Sequence, residues 1–142
     1  MRCGLTHLEL PVTRLGRSRR LYEQGAGFLP VAEDAEGVDL EAGGVVLGLR
    51  RCADPLPVVL RLQTTDPGDA LSALASSGAV PLQWPEVVFD RELRAIALDP
   101  DGHRLILWRR LRESELGRPV DLPTVLSWAS PAAADQHRRL RT

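Results

Sequence analysis

The sequence predicts an α+β protein built from two copies of one βαβββ unit, and three observations predict it. A strand-like alternation, a helical period and three more strand-like runs follow one another over about residues 4–52, and the same order restarts over about residues 57–110. Gly27-Phe28-Leu29-Pro30-Val31 lines up with Gly78-Ala79-Val80-Pro81-Leu82, and Leu47-Gly48-Leu49-Arg50-Arg51 with Leu105-Ile106-Leu107-Trp108-Arg109. Asp99-Pro100-Asp101-Gly102, strong turn chemistry between two apolar runs, marks a hairpin that closes the second copy.

In order along the chain, Leu5–Val12 alternates, with Leu8, Leu10 and Val12 on one face and His7, Glu9 and Pro11 on the other. Arg14–Gln24 changes to a helical period, with Thr13 as expected N-cap and Gly25 and Gly27 as stop. Short strands are expected over Phe28–Val31 and Gly37–Glu41, and Gly43-Gly44 turns the chain into Val45–Arg50. The proline-punctuated segment 53–57 separates the copies. Val58–Thr64 is the next strand. Asp66-Pro67 caps and opens a helix carrying Ala70, Leu71, Leu74 and Ala75, which Gly78 ends. Strands then start at Val80 and run over about 92–98 and 103–109. Residues 111–142 form a third part, a helical extension: Asp121–Trp128 reads as a capped helical turn with an apolar face, and Ser130-Pro131 opens a last helix, Ala132 to Leu140.

Composition narrows the partners. With 142 residues, 44% hydrophobic and 26% charged, the chain suits one globular domain with a real core. A net charge of −1 gives no reason to expect nucleic acid, and no apolar run approaches the roughly 20 residues of a membrane span. Cys3 and Cys52 are too few for a disulfide framework and too isolated for a zinc site, so a reducing cytoplasm is the expected compartment.

His7-Leu8-Glu9-Leu10-Pro11-Val12, Ser18–Glu23 with Gly27-Phe28, and Asp99-Pro100-Asp101-Gly102-His103 with Leu105–Trp108 together resemble the vicinal oxygen chelate superfamily. That group includes glyoxalase I, extradiol dioxygenases and bleomycin-resistance proteins; the resemblance covers about residues 4–110. It implies a curved, partly open mixed β-barrel with helices outside, a ligand cavity on the concave side and, commonly, a homodimer. It also implies a divalent metal held by His, Glu or Gln from the first and last strand of each module. Carried over residue by residue, those positions are His7, Gly48, Val59 and Ile106.

Only one of the four has a donor atom, and a lone imidazole does not hold Mg²⁺, Mn²⁺ or Fe²⁺. Glu9 adds one oxygen, while His103 at the hairpin tip and His137 in the extension are not placed to help. Neither a metal nor another cofactor is therefore expected. Alternation turns His7, Glu9, Arg61 and Gln63 into the cavity as polar groups, with Gly48 and Arg50 beside them and Val46, Val59, Ile106, Trp108 and Trp84 as apolar walls. Glu9 and Arg61 hold equivalent positions and could either meet a ligand or pair with each other. The expected partner is a small aromatic or amphipathic molecule, bound without a metal in the manner of bleomycin-resistance proteins. The alternative is an enzyme of the same fold with His7 or Glu9 as acid or base and Arg61 stabilising negative charge.

Overall fold

The structure, a computed structural model, describes residues 1–116. Two four-stranded mixed sheets make the α+β architecture. The first contains β1 (His7–Val12), β2 (Leu29–Glu33), β3 (Gly37–Glu41) and β4 (Val46–Arg51) in the order β1-β4-β3-β2. The second contains β5 (Val59–Gln63), β6 (Val80–Val88), β7 (Glu92–Leu98) and β8 (Arg104–Arg110) in the order β5-β8-β7-β6. First and last strands pair in parallel in both, β1 with β4 and β5 with β8, and the other pairs are antiparallel. The sheets share no ladder, so the barrel-like arrangement is open. No helix among the described residues is long and apolar enough to cross a membrane.

Each first crossover carries a helix onto its own sheet. α1 (Leu15–Arg20) continues into wider π-type turns over Leu21–Gly25, and α2 spans Pro67–Ser76. The Asp66 side chain caps α2 by accepting the Asp69 N–H at 3.1 Å, with Pro67 opening the helix, and Gly78 at φ +114° releases the chain. The helices meet closely: a Cβ on Gly25 would lie 3.2 Å from the Leu74 Cα. One core therefore runs through both halves. It joins Leu10, Val12, Leu47 and Leu49 to Leu71, Leu74, Leu105 and Leu107. Leu8 has the expected facing but sits on an edge strand, 41% exposed.

Thr13 is not the cap of α1. The first residue outside that helix is Arg14, and no side chain caps it. Thr13 instead gives its N–H and hydroxyl to Asp101 Oδ1, at 3.2 and 2.5 Å, so the hairpin turn of the second half outcompetes the helix end for it. The same turn makes further contacts across the halves. Asp99 is buried. Its Oδ1 accepts the N–H groups of Asp101 and His103, which is the Asx-turn chemistry of the sequence, and its Oδ2 accepts the Tyr22 hydroxyl at 2.7 Å. His103, expected at an open tip, is fully buried: Val58 N–H donates to its Nδ1 at 3.1 Å, and Nε2–H donates to the Pro11 carbonyl at 2.7 Å. The turn thus ties the end of β1 to the start of β5.

Of the extension, the described part is the buried Leu111 and a 3₁₀ turn over Glu113–Glu115. The helical turn and the helix expected over 121–140 lie outside the described residues.

Candidate functional site

The face of each sheet turned away from the helices carries the predicted side chains. In the first sheet Glu9, Gly48 and Asp39 stand side by side in register, as do His7 and Val46. Arg50, one step along β4, reaches back over this row. Its Nε lies 3.0 Å from Glu9 Oε2, and its Nη2 donates to Asp39 Oδ1 at 2.6 Å. The guanidinium covers Gly48, where an added Cβ would come within 3.1 Å of both Arg50 Nη2 and Asp39 Oδ1. Glycine at 48 is thus what lets the cation lie down on the sheet. His7 is exposed at the sheet edge, with Nδ1 2.9 Å from the Thr6 hydroxyl.

In the second sheet Arg61 is opposite Ile106, and Gln63 opposite Trp108. The Arg61 guanidinium lies 4.9 Å from the centre of the Trp108 ring and pairs with Glu92 at 2.5 Å. Ile106 and Trp108 are half-buried beneath it, and Val59 is 61% exposed. At the far end of β5 and β8 a cleft of about 800 Å³ opens between the halves, lined by Arg61 and Gln63 together with Phe28 and Gly43 of the first half.

The predicted residues therefore fall into two groups. His7, Glu9, Val46, Gly48 and Arg50 share one open face, and Val59, Arg61, Gln63, Ile106 and Trp108 share the other. Two expectations are corrected. Trp84 is not a cavity wall: β6 slips register between Pro81 and Gln83 and again before Glu86, and Trp84 turns into the core, 2% exposed. Glu9 and Arg61 do not pair with each other, since Arg50 and Glu92 are nearer partners on their own sheets. Asp39 and Glu92 escaped the sequence reading, although period-2 counting along β3 and β7 places both on the open faces.

The residues present do not fit the metal that the resemblance implies. Gly48, Val59 and Ile106 offer no side-chain donor, and Glu9 is held by a guanidinium. Among the described residues no three His, Cys, Asp or Glu converge as a metal-binding group.

No family model and no curated protein matches this chain. Solved structures do. A glyoxalase-related enzyme from Fulvimarina pelagi is 20% identical, aligning over 74% of this chain and 86% of its own with a TM-score of 0.63. TioX from Micromonospora sp. ML1 is 19% identical over 77% of this chain and 100% of its own, with a TM-score of 0.66. A glyoxalase/bleomycin resistance protein/dioxygenase family enzyme from Burkholderia phytofirmans PsJN is 16% identical over the same shares, 77% and 100%, with a TM-score of 0.65. This chain shares the fold of these structures.

Proposed function

We propose that this protein binds a small aromatic or amphipathic molecule on the open faces of its sheets, without a metal ion, and sequesters it. The observation that carries this reading is the Glu9–Arg50–Asp39 clamp over Gly48. A fixed cation, neutralised by two carboxylates, stands where the fold's metal chemistry needs an open coordination position. The second face offers a flat aromatic ring under an arginine, a surface suited to stacking and to a polar or anionic substituent. An acid–base role for Glu9, the alternative reading, has that carboxylate already held by Arg50.

Both faces are open to solvent in a single chain, and Val59 at 61% exposure is costly to leave so. We assign a second copy of the chain, related by a two-fold axis, to cover them and complete the cavity. Native mass spectrometry of the purified protein with a metal analysis tests the reading: a dimer carrying an organic ligand and no stoichiometric metal is expected. A stoichiometric divalent ion, lost in His7→Ala, overturns it.

A further inference from the structure

The two halves use the turn before their last strand in opposite ways. In the second half the turn lies between the paired residues Leu98 and Arg104, and its Asp101 carboxylate sits against Thr13 and 3.4 Å from Arg17 Nη2. In the first half the corresponding turn lies between Glu41 and Val46 and is one residue shorter, Ala42-Gly43-Gly44-Val45. None of these four residues is acidic, and the one carboxylate against the turn, that of Glu41, is taken up by the Gly44 N–H at 2.8 Å. Strand register matches His7 with Val59, since each opposes the first residue of its parallel partner, so Thr65 holds the position of Thr13. Gly43 and Thr65 line the same 800 Å³ cleft, and a Cβ on Gly43 would meet no atom within 4 Å.

We infer that this cleft is a seat for an organic carboxylate from outside the chain, which takes the place that Asp101 fills in the other half. Four arginines, Arg61, Arg109, Arg110 and Arg112, line the cleft, and among the described residues no Asp or Glu does. Glu92 neutralises Arg61, and Glu115 lies 3.1 Å from Arg109. Arg110 makes no ion pair among the described residues; Arg112 gives its backbone N–H to Glu115 at 2.8 Å, but its guanidinium Nε stays 3.9 Å from that carboxylate. The position matching Arg17 is Asp69, which with Asp66 belongs to the start of α2 and does not line the cleft. The positive charge comes instead from the end of β8. Phe28, stacked at 12° on Tyr22, and Leu62 supply apolar wall, so the fitting ligand is a carboxylate on an aromatic or aliphatic body. This seat shares Arg61 and Gln63 with the second sheet face, and Gly43 and Arg110, which belong to the cleft and not to that face, separate its test from ligand binding there.

The test is calorimetric titration of the full chain with benzoate, and with benzamide as its neutral isostere. Benzoate is expected to bind at least about tenfold more tightly than benzamide, and less tightly as salt rises. Gly43→Asp supplies the missing carboxylate from the chain and is expected to weaken benzoate by about tenfold or more. Gly43→Asn has the same size and the same tolerance of φ +74°, and is expected to keep binding within about threefold. Arg110→Gln is expected to weaken benzoate several-fold. Failure of benzoate to bind, equal binding of benzamide, or a Gly43→Asp protein that binds like the parent each overturns the inference. Unchanged melting temperatures in both Gly43 variants assign any loss to the seat and not to the fold.

Discussion

The Tyr22 hydroxyl at the end of the first helix donates to the carboxylate of Asp99 at 2.7 Å, although 77 residues separate them. Both groups are buried, and burial together with the carboxylate raises the phenol well above its ordinary value near 10. The sign of the pH effect follows. Below pH about 10 tyrosine is protonated whether the chain is folded or not; above it, the unfolded chain loses the proton and the folded one keeps it. Stability is therefore expected to fall by about 1.4 kcal/mol per pH unit above that point. Tyr22 is the sole tyrosine and the chain has no lysine, so this slope is unusually easy to isolate. Tyr22→Phe is expected to cost about 1–3 kcal/mol at neutral pH and to remove the slope. Urea unfolding at several alkaline pH values measures both; an equal slope in the variant contradicts the assignment.

His103 is the next place to probe. Its ring satisfies a backbone N–H of one half and a carbonyl of the other. His103→Ala opens a cavity and strands both groups, with an expected cost of about 3 kcal/mol or more by denaturant titration. A loss under about 1 kcal/mol means that water replaces the ring without penalty.

Two glycines on neighbouring strands separate a backbone limit from a side-chain one. At Gly37 a Cβ would overlap the Leu49 carbonyl oxygen, which cannot move without breaking the sheet. Gly37→Ala is expected to lose about 3 kcal/mol or more. At Gly48 the obstacles are the ends of Arg50 and Asp39, which can swing aside, so Gly48→Ala is expected to lose about 1 kcal/mol. Thermal melts that rank the two variants in the opposite order contradict this account.

Trp108 reports on the second open face. A ligand stacking there displaces Arg61 from the ring or shields it further, and a shift in emission is expected on binding. In a Trp128→Phe background, where Trp108 and the core-sealed Trp84 are the only tryptophans, Trp108→Phe is expected to abolish the shift. Persistence of the shift in that variant places the ligand elsewhere.

Strand order and facing were legible in the sequence because alternation is a local signal: Leu10, Leu47, Leu49, Leu105 and Leu107 are all buried, as period-2 counting requires. Thr13 was misread for a reason of the opposite kind. A cap and a long-range acceptor compete for one hydroxyl, and only the three-dimensional approach of Asp101 decides between them. Trp84 was misread because a bulge resets the alternation and has no reliable signature in Gln83-Trp84-Pro85. The Arg50 clamp needed the pairing of β3 with β4, which brings Asp39 beside Gly48. The basic cleft has no local signature: only the fold sets Arg109, Arg110 and Arg112, at the end of β8, beside the glycine turn of the other half.

The turn at Asp99–His103 also has a consequence in time. A chain emerges from its N-terminus, so Thr13, Arg17 and Tyr22 are made long before the acceptors that complete them. Until about residue 103 has been synthesised, the carboxylates that these polar groups require do not yet exist. The last interactions of the first half therefore wait on its duplicate.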